Sequence, residues 1–221
     1  MSTLFADFNA DPAIRGFLHL PSQPNGNGFV LTHGAGADCH SKLLVEVSNA
    51  LAASGFTVLR FDLPFRRARP HGPPSRGSAA LDRDGIRRAV AVMREKTNGC
   101  LFLGGHSYGG RQATVLVSDE PQRVDGLLLL SYPLHPPRKP TELRIKHFPK
   151  LFTPTFFVHG NRDPFGTIEE MKLAVELIPA SHTLLEVDSA GHDLLPKKTG
   201  ANLPARIVNE FQMFVEKVKA P

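Results

Sequence analysis

Short apolar runs alternate with segments of helical periodicity along most of this 221-residue chain. A short continuous apolar run indicates a buried strand, and apolar residues three or four positions apart indicate one face of a helix. Six runs predict strands, at positions 28–32, 56–61, 100–103, 124–130, 155–158 and 183–187. Consecutive leucines end the fourth run, which favours burial on both faces of a sheet.

Helical periodicity marks further segments between and after these runs. They lie at positions 43–51, 86–93, 110–117, about 168–177 and 207–218. Glycines at positions 55 and 99 end the first two. Strands that alternate with helices form a parallel sheet covered on both sides. We therefore predict the α/β fold class, with a mostly parallel central sheet and helices on both faces, as a single domain spanning residues 1–221.

Two proline-rich stretches interrupt the alternation. Residues 62–80 also hold many arginines and glycines, and this composition predicts an irregular surface loop. Residues 131–154 offer at most one short helix and are too few to form a large helical cap. Neither stretch is long enough to be a separate domain.

Four arginines of the first stretch, Arg66, Arg67, Arg69 and Arg76, lie among prolines and glycines with almost no aromatic residues. Nucleic-acid surfaces commonly pair such charge with stacking side chains or a reading helix. We expect a solvated arginine loop and consider nucleic acid an unlikely partner. The alternative is that one arginine faces a pocket and selects ligands that carry a carboxylate or a phosphate.

The composition is that of an ordinary globular protein, with 41% hydrophobic and 21% charged residues. The formal net charge is +5 and the isoelectric point is about 9.4, which could favour anionic ligands. Cys39 and Cys100 cannot build a disulfide framework, and this favours a reducing compartment. Residues 1–16 have no signal-peptide core and no apolar run reaches membrane-spanning length, so we expect a cytoplasmic protein without a membrane partner.

A serine between two glycines lies where a predicted strand meets a predicted helix, in Gly105-His106-Ser107-Tyr108-Gly109. This is the pattern of a nucleophile elbow, a turn so tight that side chains two positions away on either side would collide. Glycine avoids the collision, and the strained serine backbone holds the hydroxyl above the sheet edge. The pattern alone is weak, but its strand–turn–helix context indicates that Ser107 is a nucleophile.

A serine nucleophile needs a base that takes its proton and an acid that orients the base. Such groups gather at the carboxyl ends of parallel strands. Asp163 and His192 follow the last two predicted strands, in the order serine, acid, histidine. We predict Asp163 as the orienting acid and His192 as the base. Asp188 and Asp193 are competing acids, and Asp163 could instead be a turn residue before a proline.

Three other histidines are rivals for the role of base. We expect His33 to support its own loop, His106 to pack beside the elbow, and His159 to be a histidine at a strand end whose hydrogen bonds are satisfied. Cys39 and His40 could indicate metal or thiol chemistry, but they have no partner at ligand spacing, and we predict no metal site.

An oxyanion hole needs two backbone N–H groups directed at the charge that develops on a carbonyl oxygen. The residue after the nucleophile, Tyr108, supplies one. The second is expected from the loop after the first predicted strand, which begins with His33 and Gly34 and whose small residues allow close approach of a substrate. Ala35 is the predicted second donor, with Gly36 as the alternative.

Four segments carry a resemblance to a known family: His-Gly-Ala-Gly at 33–36, Gly-His-Ser-Tyr-Gly-Gly-Arg at 105–111, Gly-Asn-Arg-Asp-Pro-Phe-Gly at 160–166 and Gly-His-Asp at 191–193. Together they resemble the α/β-hydrolase superfamily, and more narrowly its small dienelactone-hydrolase-like branch. A compact subgroup there has relatives among animal chromatin-complex and testis-expressed hydrolase-like proteins. The resemblance covers the chain from about residue 28 to residue 218.

This resemblance implies the α/β-hydrolase fold, with Ser107 as nucleophile, Asp163 as orienting acid and His192 as base. Two features depart from the family pattern. Dienelactone hydrolases proper have cysteine at the elbow, so the serine weakens that substrate assignment. Tyr108 stands where the subgroup has methionine, and its ring is expected to shape the pocket.

The residues and the resemblance together predict a serine hydrolase of the carboxylesterase type. It would cleave a small-molecule ester or thioester through an acyl-enzyme intermediate, with no cofactor and in an open pocket. Alternatives are a non-catalytic interaction module that keeps the hydrolase fold, a basic nucleic-acid-associated protein, and acyl transfer, perhydrolysis or peptide cleavage by the same residues. The oligomeric state is left open.

Overall fold

Eight strands form one sheet in the computed structural model, which describes residues 2–7, 13–75, 77–195 and 203–219. The order across the sheet is β1-β2-β4-β3-β5-β6-β7-β8. The strands β3 to β8 all run parallel to one another, whereas β2 pairs antiparallel with both β1 and β4. The strands are β1 (Ser2–Asp7), β2 (Ile14–His19), β3 (Gly28–Thr32), β4 (Thr57–Phe61), β5 (Leu101–His106), β6 (Gly126–Leu130), β7 (Thr155–Gly160) and β8 (His182–Val187).

Helices cover both faces of this sheet. The helices are α1 (Lys42–Ala53), α2 (Pro64–Ala68), α3 (Ser78–Lys96), α4 (Tyr108–Asp119), α5 (Ile168–Val175) and α6 (Leu203–Lys219). The predicted α/β class with a mostly parallel central sheet is therefore confirmed. Across the described ranges, no helix has both the length and the apolar character needed to cross a membrane.

Each face of the sheet has its own apolar core, because side chains of a strand alternate between the two sides. On one face, Phe29, Phe102 and Phe156 of three parallel strands pack against Phe211 of α6. On the opposite face, apolar residues of the same strands pack against α3, α4 and α5. The consecutive leucines of β6 divide between the two cores and are fully buried, as their sequence predicts.

The first two strands, β1 and β2, have no counterpart in the sequence prediction. Side chains of β1 are mostly exposed, so the strand lacks the apolar run that marks a buried strand. β2 is held by antiparallel pairing to β4, where Gly16 lies opposite Phe61. A Cβ on Gly16 would lie 2.6 Å from the Phe61 Cα, which explains why this edge carries a glycine.

The prediction of an irregular surface loop over residues 62–80 is wrong at both ends of that stretch. Pro64–Ala68 forms α2, Leu63 and Phe65 are buried, and α3 already begins at Ser78. In contrast, the described residues 131–154 contain only a single 3-10 turn, Phe148–Lys150, and no large cap. Both connections lie at the carboxyl ends of the strands and form walls of one cavity.

A buried polar chain connects β2, β4 and α1. The Arg60 guanidinium donates to Nε2 of His19 at 2.8 Å, and Nδ1–H of His19 faces the Asn49 side-chain oxygen at 3.1 Å. His19 must be neutral to accept from an arginine. Burial and the neighbouring Arg60 charge accordingly lower the pKa of His19 to about 4.

His19 should make folding stability depend on pH. The unfolded histidine takes up a proton near pH 6.5 and the folded one only near pH 4. The contribution of His19 to the free energy of unfolding is therefore fully present above pH 6.5 and is lost as the pH decreases toward 4. At pH 5 the loss from this residue is about 2 kcal/mol. Urea unfolding at pH 7 and pH 5 measures it. The H19N variant should show a pH-dependent loss smaller by about this amount; an unchanged loss would contradict the assignment.

Candidate active site

Ser107 lies in a sharp turn between β5 and α4. Its backbone has φ 50° and ψ −114°, a conformation that L-residues rarely adopt. Its N–H donates to the Leu130 carbonyl of β6 at 2.9 Å, and its carbonyl accepts from the N–H of Arg111 in the first turn of α4. The sheet and the helix thus hold the strained turn from both sides, as the elbow pattern predicts.

The glycines of the elbow allow α4 to approach β3 at backbone distance. A Cβ on Gly105 would lie 2.5 Å from the Thr32 hydroxyl and 2.6 Å from the Gly110 nitrogen. A Cβ on Gly109 would lie 2.6 Å from the His33 carbonyl oxygen and would also overlap Thr32. Contacts this short do not occur for real side chains, so both positions require glycine.

The structure brings Ser107, Asp163 and His192 into one chain of hydrogen bonds. Nε2 of His192 lies 2.8 Å from the Ser107 hydroxyl oxygen, and Nδ1 lies 2.7 Å from a carboxylate oxygen of Asp163. Asp163 follows β7 and His192 follows β8, so two adjacent parallel strands deliver the pair. With Nδ1–H donating to the carboxylate, Nε2 is free to accept the serine proton.

Asp163 is buried and remains ionised. Burial would raise the pKa of its carboxyl, but the hydrogen bond and charge of His192 and the backbone N–H of Phe165 outweigh it and lower the pKa below its ordinary value. The competing acids lie elsewhere: Asp188 accepts from the Asn161 amide, and Asp193 is exposed. Among the side chains that the structure describes, Asp163 is the carboxylate that contacts the His192 ring.

Two neighbours fix the orientation of His192. The ring of Phe165 stacks on the imidazole with centroids 4.1 Å apart. Nε2–H of His106 donates to the backbone carbonyl of His192 at 2.7 Å. Burial lowers the pKa of His106 to about 4, so it is neutral near pH 7. The sequence prediction did not include Phe165 as a neighbour of the base. Its position two residues after Asp163, in the same loop, was the available indication that it lies near His192.

His159 differs from its prediction as a histidine with satisfied hydrogen bonds. Its Nε2–H donates to the Gly166 carbonyl at 2.8 Å, and the same nitrogen lies 3.8 Å from Asp163. Its buried Nδ1 has no hydrogen-bond partner among the described atoms. Burial lowers the pKa of His159, which keeps the ring neutral beside the carboxylate.

The loop after β3 lies against the elbow and is fixed by His33. Nδ1–H of His33 donates to the Gly34 carbonyl at 2.9 Å, and its Nε2 accepts from the Leu63 N–H at 3.0 Å. Gly34, Ala35 and Gly36 line the same cavity as Ser107 and Tyr108. Tyr108 is the first residue of α4, where backbone N–H groups have no intrahelical acceptor.

Arg67 and Arg69 are exposed, as expected of a solvated arginine loop, and Arg76 lies outside the described residues. Arg66 departs from that expectation and supports the loop after β3 from behind. It is buried, and its guanidinium donates to the carbonyls of Ala35 and Ala37 at 2.8 Å each and to those of Arg69 and Pro70. The composition of residues 62–80 indicated that the segment is positively charged, but not that one of its arginines is buried. The role of Arg66 depends on the helix α2, which the sequence analysis did not predict.

The phenol of Tyr108 points to a carboxylate of α3. Its hydroxyl donates to Asp82 at 2.6 Å, and its ring packs edge-on against Phe65. Burial and Asp82 raise the pKa of Tyr108 well above its ordinary value, so the phenol keeps its proton. The tyrosine contributes to the cavity wall, in agreement with the prediction that its ring shapes the pocket.

A cavity of about 780 Å³ lies over Ser107 and His192. Pro73, Pro74 and Ser75 form one wall, and Pro133 and Arg144 from the β6–β7 connection form another. No group of three or more potential metal-ligating side chains occurs within the described ranges. Cys39 and Cys100 are present as thiols rather than as a disulfide, and burial raises the pKa of the Cys39 thiol to about 12.

The chain matches the alpha/beta hydrolase domain family over residues 25–218. It belongs to this family. Its fold is similar to dienelactone hydrolase from Anabaena variabilis ATCC 29413 at 21% identity, covering 96% of this chain and 97% of that chain, with a TM-score of 0.76. It is also similar to Est1E from Butyrivibrio proteoclasticus with ferulic acid bound, at 16% identity, 93% and 96% coverage and a TM-score of 0.74.

An α/β serine hydrolase without a lid from Xanthomonas campestris is also similar, at 15% identity, 98% and 93% coverage and a TM-score of 0.69. At such identities the likeness shows the fold. The family match and this fold confirm the sequence-based assignment to the α/β-hydrolase superfamily and its capless architecture.

Alanine at Gly109 should destabilise the protein, whereas alanine at Gly36 should have little effect on stability. A methyl group at Gly109 meets the Thr32 side chain and the His33 carbonyl oxygen, whereas one at Gly36 meets nothing within 4 Å. G109A should therefore lose about 2–3 kcal/mol, although helix propensity alone favours alanine by about 1 kcal/mol. G36A should change stability by less than about 0.5 kcal/mol. Urea unfolding compares the two, and equal stabilities would refute the close approach.

Proposed function

We propose that this protein is a serine hydrolase that cleaves a carboxylic ester or thioester of a small molecule through an acyl-enzyme intermediate. The observation that carries the proposal is the continuous hydrogen-bonded chain from Ser107 through His192 to Asp163. Among the described residues that line the cavity, no other group combines a nucleophile, a base and an orienting acid at hydrogen-bonding distance. Membership of the alpha/beta hydrolase domain family supports the same reaction class.

In the first half of the reaction, Ser107 Oγ attacks the carbonyl carbon and its proton passes to Nε2 of His192. The carbon–oxygen or carbon–sulfur bond to the leaving group then breaks, and the leaving group takes that proton. Asp163 stays ionised and stabilises the imidazolium that forms between these steps, because its carboxylate already accepts from Nδ1–H. The product of this half is an ester of Ser107.

In the second half, a water molecule attacks the acyl carbon and gives a proton to His192. The bond to Ser107 Oγ breaks, the serine recovers its proton from His192, and a carboxylic acid leaves. An alcohol or amine in place of water would give acyl transfer with the same residues. We take hydrolysis as the primary reaction because the cavity opens to solvent between two short connections.

The oxyanion of both tetrahedral intermediates would bind to the backbone N–H groups of Tyr108 and Ala35, with Gly36 as the alternative to Ala35. Two observations support this assignment: Tyr108 lies at the start of α4, and Arg66 donates hydrogen bonds to the carbonyls of the loop after β3. Donors that are fixed before the reaction lose no free energy to reorganisation at the transition state. We propose the elbow glycines, Gly105 and Gly109, as structural parts of the site.

The cytoplasm remains the expected location, since reducing compartments keep cysteines such as Cys39 and Cys100 in the thiol form. A small-molecule ester or thioester is the expected substrate. The open cavity suits a compact acyl group better than a long lipid chain, which needs extended apolar burial.

Serine-directed chemistry tests the proposal directly. The wild type should hydrolyse 4-nitrophenyl acetate with a burst of nitrophenol and should be labelled by a fluorophosphonate on Ser107. S107A should lose the label and about 10⁴-fold or more in kcat. An unchanged rate in S107A would overturn the assignment of the nucleophile. Absence of both labelling and turnover in the wild type would favour a non-catalytic module.

Two aspartates near His192 allow a matched comparison of the orienting acid. D163N should lower kcat by about 10³–10⁴-fold, because the amide cannot hold the imidazole in the reactive tautomer. The same change at exposed Asp193, D193N, should alter kcat by less than about threefold. Steady-state hydrolysis of the acetate ester by both variants measures this. Similar losses in the two variants would contradict the role of Asp163.

A further inference from the structure

Two arginines reach the cavity that contains Ser107, and they come from different elements. Arg111 lies on α4 four residues after Ser107, and residues four apart share one side of a helix. Arg144 comes from the connection between β6 and β7. Both residues therefore contribute to the cavity lining, from neighbouring walls.

These arginines lack the acceptors that other arginines of the protein have. Arg66 donates to four backbone carbonyls, and Arg87 pairs with the carboxylates of two residues. In contrast, the buried Nε–H of Arg111 has no hydrogen-bond partner within the described residues. The Arg144 guanidinium has one long hydrogen bond, 3.4 Å to the Pro133 carbonyl.

The described part of the cavity lining provides no carboxylate for these two cations. Among the described residues that line the cavity, none is an aspartate or a glutamate, and Asp163 contacts the far side of the His192 ring. Burial and the nearby Arg111 charge lower the pKa of Arg144, and the Glu142 carboxylate offsets only part of this effect. Partly buried charge without a partner is costly, and an anion between the two groups would remove that cost.

The backbone of Arg144 is fixed before any ligand arrives. Its N–H donates to the Leu134 carbonyl at 2.8 Å, and its carbonyl accepts from the Tyr132 hydroxyl at 2.6 Å. Arg111 is fixed by α4 and by its N–H bond to the Ser107 carbonyl at 2.9 Å. A site whose two anchors are already in place loses little conformational entropy on binding.

We propose that Arg111 and Arg144 form an anion-binding site beside Ser107, and that the substrate carries a carboxylate or a phosphate in addition to its ester or thioester. Guanidinium groups match the oxygens of both anions with paired hydrogen bonds. The inference rests on the proposed function and specifies its substrate class. The sequence left open that an arginine of residues 62–80 selects ligands with a carboxylate or a phosphate. The structure instead favours Arg111 and Arg144, which lie outside that segment, for this role.

A pair of esters that differ only at the far end of the acyl chain tests the site. Mono-4-nitrophenyl glutarate and 4-nitrophenyl pentanoate have acyl chains of equal carbon number, and one ends in a carboxylate. Wild-type kcat/KM should be about 10–100-fold higher for the glutarate half-ester. The half-ester can also react with its own carboxylate, so the rate measured with S107A is subtracted.

The ratio of the two kcat/KM values identifies the residues responsible. R111Q and R144Q should each lower this ratio by about tenfold, and R111K should retain more of it than R111Q. R88Q is the matched control, because Arg88 lies outside the cavity lining, on the exposed side of α3, near Asp7. It removes the same charge and should leave the ratio as in the wild type. Equal losses of the ratio in all these variants would point to general electrostatics and overturn the site.

Competitive inhibition of pentanoate hydrolysis distinguishes the two anions. Glutarate and propyl phosphate should inhibit the wild type more strongly than R111Q, and the tighter inhibitor identifies the preferred anion. If neither ester is turned over, the same readout is taken from fluorophosphonate labelling, which glutarate or propyl phosphate should slow in the wild type and not in R111Q.

The failures of the two proposals are distinguishable. Turnover of the pentanoate ester at Ser107 without preference for the glutarate half-ester and without inhibition by either anion would overturn the anion site and leave the hydrolase intact. Absence of turnover and of labelling would overturn the hydrolase and, with it, the substrate class.

Discussion

The site depends on the close approach of α4 to β3 at the elbow. Because glycines occupy positions 105 and 109, the first turn of α4 packs against Thr32 and the His33 carbonyl with no side chain between them. This contact brings the start of the helix and the loop after β3 to one side of Ser107. Asp163 follows β7, which pairs parallel with β6, and His192 follows β8, which pairs parallel with β7.

Neutral histidines hold much of this arrangement together. His33 joins the loop after β3 to the start of α2, and His106 joins the elbow to the His192 backbone. Burial lowers the pKa of both, so each keeps one nitrogen as donor and one as acceptor near pH 7. The positive charge near Ser107 comes from arginines instead, and Asp163 provides the carboxylate that accepts from the His192 ring.

Much of the fold could be predicted from the sequence because its parallel strands are buried on both faces. Such strands appear as uninterrupted apolar runs, as in residues 127–130, and the elbow carries glycines at fixed positions. β1 was not predictable in this way, because its stability comes from pairing with β2 rather than from an apolar run. The contacts of Arg66 and Arg111 could not be predicted from the sequence either, since the hydrogen-bond acceptors around an arginine depend on the tertiary structure.

The backbone of Ser107 has a consequence for the thermodynamics of the whole chain. A non-glycine residue at φ 50° and ψ −114° costs about 1–3 kcal/mol, which the rest of the fold must supply. Glycine would adopt this conformation with less strain, at the expense of greater freedom in the unfolded chain. The hydroxyl is thus retained at a position where stability alone favours a residue without a side chain, and this is the trade-off expected where chemistry rather than folding determines the residue.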